Sequence, residues 1–213
     1  MSHDVPGGPG RQSPAIPLKT MLVAFVAFAV VPSAWAGGWK GSCDIRFHGT
    51  SNLHEFAGSA RCRPFQVGVE NVAGGETIIS GAEVAVPTTG MDTDNKSRDR
   101  QMRTMFQSDA FPAIRGVFGR IDPERIRQEL RRGPEARAPL DFKLTIRDIE
   151  RPVHAVVSNF READRGVSFD VDYDVSLSDY RLIPPKAFFG LVRVDDKVTV
   201  KTTVRLEPGG GPK

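Results

Sequence analysis

The chain has 213 residues, and the part that follows an N-terminal leader falls within the usual size of one domain, so a single core suffices. Its 29 Lys and Arg stand against 26 Asp and Glu, and with Arg11, Lys19 and Asp4 assigned to the leader the remainder is close to neutral. Acidic and basic side chains alternate along most strands instead of clustering, which excludes the concentrated basic charge of a nucleic-acid binder.

Residues 1–36 read as a leader. Met1 to Thr20 holds four prolines and three glycines with no apolar period, the composition of a disordered stretch. Met21 to Val31, MLVAFVAFAVV, is a continuous apolar run preceded by Lys19 and followed by the small-x-small pattern Ala34-Trp35-Ala36, which predicts a secretory signal peptide cleaved before Gly37. The run is too short to span a bilayer, which takes roughly 20 apolar residues. Cys43 lies too far beyond it for a lipoprotein. Residues 37–213 are then the folded domain.

Export places Cys43 and Cys62 in an oxidising compartment. A hairpin turning through Ser51-Asn52-Leu53-His54 sets Cys43 opposite Cys62, Ile45 opposite Ala60, Phe47 opposite Gly58 and Asp44 opposite Arg61. That register joins the cysteines, matches charges and keeps Ile45 and Phe47 on one face. A bridge there closes a loop of roughly 18 residues, for which the chain-entropy model gives about 3 kcal/mol. No CxxC accompanies the pair, so the bridge is read as structural.

A strand follows over Ile78 to Val86, ending at Pro87. The stretch from Met91 to Phe118 differs from its surroundings. Asp92, Thr93, Asp94 and Asn95 supply acceptors for a helix N-terminus, and Lys96 to Phe106 reads as an amphipathic helix with Met102, Met105 and Phe106 on one stripe. Phe111-Pro112 is expected to stop it, and Ile114, Gly116 and Phe118 resume a strand period. Methionine repacks against irregular apolar shapes, so this helix fits either a lid over an apolar cavity or a plug closing a packed core. Asp122-Pro123 then starts a short charged helix over Glu124 to Arg132, stopped at Gly133-Pro134 and expected to be a surface insertion.

Leu140, Phe142, Leu144 and Ile146 alternate with Asp141, Lys143, Thr145 and Arg147 in a half-buried strand. A turn at Asp148-Ile149-Glu150 leads to Val153–Phe160. Val167, Phe169, Val171, Tyr173, Val175 and Leu177 then alternate with Ser and Asp. A long apolar connection from Asp179 to Val194, containing Phe188-Phe189, precedes a last strand through Val198, Val200, Thr202, Val204 and Leu206, and the tail from Gly209 to Pro212 frays. About eight two-faced strands in hairpin order predict an all-β fold, an antiparallel up-and-down barrel with a short amphipathic helix at its mouth; a sandwich is the competitor. A closed barrel of this size has an interior that holds one small ligand.

Four segments, HGTSNLHEFAG (His48 to Gly58), RDRQMRTMFQSDAFPAIRGVF (Arg98 to Phe118), LTIRDIERPV (Leu144 to Val153) and VRVDDKVTVKTTVRL (Val192 to Leu206), resemble in that order the YceI-like family. The resemblance implies an exported, periplasmic protein with a lipocalin-like barrel that encloses a polyisoprenoid or similar long apolar molecule. The chain departs from the family pattern in GTSNLHEF, in Asp148 at a usual glycine, and in the charged helix after Asp122.

Catalytic and metal readings find thin support. His48, His54 and His154 come from separate strand and turn positions and do not form a ligand set. Ser51, His54 and Glu55 sit in one turn without the strand-to-helix elbow that exposes a nucleophilic serine, and serve the turn itself. The reading is therefore a binding or carrier protein with no catalytic residues, no metal and no cofactor beyond a bound polyisoprenoid, quinone or lipid. Its partners are that ligand and transient membrane contact, with no nucleic acid. Phe47, Phe56, Met102, Met105, Phe106, Phe142, Phe169 and Tyr173 are the candidate lining residues. Arg98, Arg100 and Arg103 either meet an anionic headgroup or form a solvated helix face. A packed barrel serving as a structural or stress-response interaction protein is the alternative, and a hydrolase the third. The exported protein is expected to begin at Gly37 and to hold no free thiol; N-terminal sequencing and thiol labelling of unreduced material check both, and labelling of both cysteines contradicts the bridge.

Overall fold

Alternation gives each strand one face for a core and one for water, and the strands satisfy it by closing one antiparallel sheet on itself. A computed structural model of the chain describes residues 38–72, 75–184 and 194–209. The expected leader and signal peptide at 1–36, the Phe188-Phe189 part of the last connection and most of the C-terminal tail lie outside the described residues. The strands are β1 (Trp39–Ser51), β2 (Glu55–Arg61), β3 (Phe65–Asn71), β4 (Thr77–Pro87), β5 (Ala113–Phe118), β6 (Ala138–Ile146), β7 (Ile149–Ala163), β8 (Gly166–Ser176) and β9 (Val194–Pro208), with helices α1 (Lys96–Phe106) and α2 (Pro123–Leu130).

From β3 to β9 each strand pairs with the next, and β1 pairs with β9 to close the circle. On its other edge β1 pairs with β3 near its start and with β2 along the rest. Only Cys62-Arg63-Pro64 separates β2 from β3, so the two act as one interrupted strand and the barrel has eight staves. Strand directions then fix the ends. The β1–β2 turn, α1, the β6–β7 turn and the connection after β8 share one end, the mouth; the β3–β4 turn, α2 and the β7–β8 turn share the other.

The first hairpin has the register its sequence predicts, with Asp44 opposite Arg61, Ile45 opposite Ala60 and Phe47 opposite Gly58. Cys43 and Cys62 are bonded, with Cα atoms 5.4 Å apart. The bridge fastens β1 at the point where its partner changes from β3 to β2. Ser51 closes the turn: its hydroxyl donates to the His54 carbonyl at 2.6 Å and accepts from the His54 N–H at 3.1 Å.

Helix α1 begins where predicted, because Asn95 Oδ1 accepts from the Ser97 and Arg98 N–H groups at 3.0 and 3.1 Å, satisfying donors that have no intrahelical partner. Thr93 adds a second tie, donating from its hydroxyl to Asp99 Oδ1 at 2.6 Å. The stop differs from expectation. Gln107 adopts a left-handed conformation (φ 51°) and its N–H turns back to the Arg103 and Thr104 carbonyls, so the helix ends before Phe111-Pro112 through a C-terminal cap.

Other expectations shift by similar local causes. The β6–β7 turn is Arg147-Asp148, with Arg147 at φ 57° and Ile146 already paired with Ile149; the return strand therefore starts before Val153. Ser80 is the extra residue of a bulge between the Gly68–Gly81 and Val69–Ile79 pairs, which puts Ile78 and Val84 on opposite faces of β4. Helix α2, capped by Asp122 with Pro123 at its first turn, ends at Leu130, short of Arg132. It is more than a surface insertion, since Ile126 and Leu130 pack against the core and Arg127 pairs with Glu162 at 3.3 Å.

Strand β9 closes the barrel, and several carboxylates fasten it on the outer face. Arg205 donates to Asp44 at 2.6 Å and Lys197 to Asp174 at 2.7 Å, while Asp196 accepts from the Ser176 hydroxyl at 2.5 Å and the Ser178 N–H at 2.7 Å. The hydrogen bond from Arg205 holds Asp44 below its ordinary 3.8, that from Lys197 does the same for Asp174, and that from Ser176 for Asp196; partial burial opposes each without prevailing. A carboxyl whose folded value is lowered stabilises the fold above its unfolded value and loses that contribution as pH falls through the folded one. Each group is substantially exposed, so each contribution alone is small. Thermal stability is expected to fall on acidification below about pH 4. The triple variant Asp44→Asn, Asp174→Asn, Asp196→Asn should melt lower at pH 7 and lose less on acidification, as calorimetry from pH 7 to 3 would read.

Candidate ligand-binding cavity

Directly opposed residues on neighbouring strands share a face, so the inward side chains of β1, β9 and β8 fall into rows. Phe47, Val200 and Tyr173 form one row, Ile45, Thr202 and Val171 the next away from the mouth, and Cys43, Val204 and Phe169 the one after. Below the Tyr173 row the β6, β7 and β8 side of the interior is packed, with Leu140, Phe142, Ala155, Val157 and Val171 buried, while on the β1 and β2 side Ile45 and Ala60 still border open space. Phe142 stacks on Phe118 at 4.7 Å between ring centroids and meets Tyr173 edge-on at 5.2 Å, both favoured aromatic geometries.

The mouth half is hollow. A cavity of about 730 Å³ lies between α1 and the barrel, inside the range of small-molecule sites. Its wall is apolar, built by Ile45, Phe47, Val86, Ile114, Leu144, Ile146, Val175, Val198 and Val200 from the strands and by Met91, Met102, Met105 and Phe106 from α1 and the segment leading into it. Ser51, His54, Asn95, Arg98 and Gln101 supply polar groups where the first turn and α1 meet. The lead-in also covers the second edge of β2, through the Ser59 N–H donating to the Asp92 carbonyl at 2.7 Å and the Asp92 N–H returning to Ser59 at 2.9 Å. On the opposite rim, Arg147 donates to the Tyr180 and Arg181 carbonyls at 3.1 and 2.9 Å, pinning the turn after β8 to the β6–β7 turn.

The structure brings Phe47, Phe56, Met102, Met105, Phe106 and Tyr173 together around this cavity, and leaves Phe142 and Phe169 out. Phe142 belongs to the packed floor. Phe169 sits four residues further down β8 than Tyr173, a distance of about 13 Å at the usual strand rise. Helical spacing separates the arginines in the same way. Arg98, Met102, Met105 and Phe106 occupy one face at i, i+4, i+7 and i+8, so Arg98 reaches the cavity, its guanidinium 5.6 Å from the Phe56 ring centroid, a cation–π distance. Arg100 borders an outer depression beside Ile183, and Arg103 donates to the Thr89 carbonyl at 3.3 Å; neither lines the cavity. The lining residues missed by sequence reasoning, Val175, Leu177, Val198 and Val200 among them, lie on the inward faces the alternation marks. Aromatic size stands out in a sequence, whereas position along the strand decides which inward side chain meets the hollow.

The histidines stay apart: His48 pairs with Glu55 at 3.2 Å and His154 with Asp141 at 2.7 Å. Among the described residues no group of three His, Cys, Asp or Glu is placed to hold a metal ion. Ser51 is bonded to the His54 backbone and not to its ring. Burial, and secondarily Tyr180, raise the Tyr173 hydroxyl above its ordinary 10.0, so it stays protonated; burial and Asp179 push Tyr180 up to about 12.

The family model described as YceI-like domain matches residues 42–206. The chain belongs to the YceI-like family. Among solved structures, BcnA of Burkholderia cenocepacia is similar at 16% identity and a TM-score of 0.56, covering 76% of this chain and 95% of its own. A polyisoprenoid binding domain from Saccharophagus degradans, implicated in plant cell wall breakdown, is similar at 11% identity and a TM-score of 0.56, covering 80% and 98%. At those identities the likeness is one of fold. No curated protein matches the sequence.

In this YceI-like barrel the cavity wall along β1 and its partner rests on glycines. Gly41 is paired with Phe65, Gly49 with Phe56 and Gly58 with Phe47, and in each pair the phenylalanine ring occupies the space a Cβ on the glycine would take. The rings lie across the strand because the opposite residue has no side chain. At Gly58 an added methyl would also meet the Asp92 carbonyl at 2.9 Å, within the bridge that leads into α1. Gly58→Ala is expected to turn the Phe47 ring into the cavity and to lower stability by about 1–3 kcal/mol, measured by denaturant unfolding; an unchanged midpoint would mean that the ring is not held there by the glycine.

Proposed function

We propose that this domain encloses a long apolar molecule, isoprenoid- or lipid-like, and carries it in the periplasm without transforming it chemically. The observation that carries the reading is the cavity of about 730 Å³ with a predominantly apolar wall. A core meant only for stability packs to crystal-like density with few voids larger than a water, and the alternative of a packed structural barrel is at odds with so large an interior space. An apolar guest gains roughly 25 cal/mol for each Å² it removes from water. The similar Saccharophagus structure is described as a polyisoprenoid binding domain, which supports the ligand class.

The methionine helix serves as the adjustable cover in this reading, with Met102 and Met105 fitting guests of different shape. Arg98 is the one cation of α1 that lines the cavity, the place for an anionic or polar headgroup. Leu53, 65% exposed, and Ile183, 80% exposed, stand at the mouth end and suit brief contact with a bilayer surface from which a guest is taken or to which it is returned.

Protein purified gently from its own compartment is expected to carry a bound apolar molecule, seen as added mass in native mass spectrometry and released by organic extraction. The double variant Met102→Lys, Met105→Lys should lower retention by roughly tenfold or more, since it places charge in an apolar wall. Its barrel should remain folded by circular dichroism, because α1 is also held by Phe106, Asn95 and the Thr93–Asp99 bond. A bare polypeptide mass, or collapse of the whole fold in the double variant, would return α1 to the role of a core plug.

A further inference from the structure

Tyr173 is a polar side chain set deep in the cavity wall, away from the polar groups of the first turn and α1. It stands in the row with Phe47 and Val200, three residues from the mouth end of β8, with its ring edge-on to Phe142 at 5.2 Å. Of β8 it is the innermost residue that lines the cavity, since Val171 and Phe169 do not, so its side chain marks the inner limit of the hollow on that strand. A tyrosine O–H enclosed by protein usually has a hydrogen-bond partner; no hydrogen bond joins this one to another described residue, while the half-buried side chain lines the cavity. Val175, Val198 and Val200 around it offer no acceptor.

Building on the carrier reading above, we propose that Tyr173 anchors the inner end of the guest: the ligand goes in with a neutral oxygen foremost, a hydroxyl or a ketone-type carbonyl, and its hydrocarbon remainder extends toward α1 and the mouth. The chemistry of the wall selects that group. The phenol remains protonated over the physiological range, so it donates to an oxygen lone pair. An anion is excluded from the inner end by the same surroundings, because a charge buried in apolar walls without a counter-charge is strongly unfavourable. Arg98, the cavity's guanidinium, lies at the other end, on the first turn of α1. A charged headgroup therefore stays at the mouth, and the inner oxygen belongs to a neutral alcohol, quinone or amide.

The test compares two probes of one carbon skeleton, phytanol and its parent hydrocarbon phytane, titrated against the purified protein and followed by native mass spectrometry. Tyr173→Phe removes the hydroxyl and keeps the ring against Phe142, and a matching melting temperature checks that the barrel is intact. The variant is expected to bind phytanol roughly tenfold more weakly than wild type while phytane is unchanged, the order expected for one lost hydrogen bond in an apolar site. Equal binding of phytanol by variant and wild type, or equal loss for both probes, overturns the proposal and leaves the carrier reading standing. So does a selective loss of phytanol in Arg98→Gln with none in Tyr173→Phe, since that would put the hydroxyl at the mouth. If neither probe binds wild type, the carrier reading fails, and the anchor with it.

Discussion

Strand β1 bears the closure of this molecule on both of its edges, and the interior depends on that arrangement. Along one edge it takes β9 from Trp39 opposite Pro208 to Gly49 opposite Val198; along the other it takes β3 and then β2. The β9 pairing joins residues as distant as Asp44 and Arg205, 161 positions apart. Bringing such distant segments together carries a loop-closure cost that local hairpins avoid. The Cys43–Cys62 bond lies beside the junction between β2 and β3, where a strand with two successive partners would otherwise be easiest to part. Once β1 is held, the rows of inward side chains are aligned.

Those rows explain why the barrel is filled at one end and hollow at the other. Toward α2 the large rings of Phe118 and Phe142, on adjacent strands, stack on each other within the interior. Toward α1 the inward strand residues are mostly Val and Ile, whose short side chains leave the centre empty, and the phenylalanines of the first hairpin lie flat over glycines instead of filling it. The hollow is then bounded by a helix that packs through Phe106, and through Met91 in the segment leading into it, yet presents Met102 and Met105 to the space. Its N-terminal cap and left-handed stop fix its length independently of what lies beneath. A stable cover over an unfilled interior is the physical basis for the binding role proposed here.

Much of this was legible in the chain. The alternation in Val167–Leu177 and Leu140–Ile146, the helix from Lys96 to Phe106 with its Asn95 cap, and the Cys43–Cys62 register are local or near-local facts, set by side-chain period, capping chemistry and one hairpin. The misplaced details have particular causes. Gln107 takes a left-handed conformation that glycine or asparagine more often signals, Ser80 forms a bulge marked only by the neighbouring Gly81, and Arg147 turns a two-residue loop with a side chain that does not advertise it.

By itself, then, the sequence determined every strand but β3 and their inward faces, the amphipathic helix α1, the disulfide and the resemblance to the YceI-like family. Only the tertiary structure decided which inward residues face empty space. Alternation assigns a side chain to the interior but not to a depth within it, so Phe169 and Tyr173 read alike in the sequence although one lies in the packed rows and the other at the edge of the hollow. Helical period likewise put Arg98, Arg100 and Arg103 in one basic cluster, and the angle at which α1 sits on the barrel turned Arg98 alone of the three toward the cavity. Depth and orientation depend on contacts between segments far apart in the chain, and those are fixed only when the barrel closes.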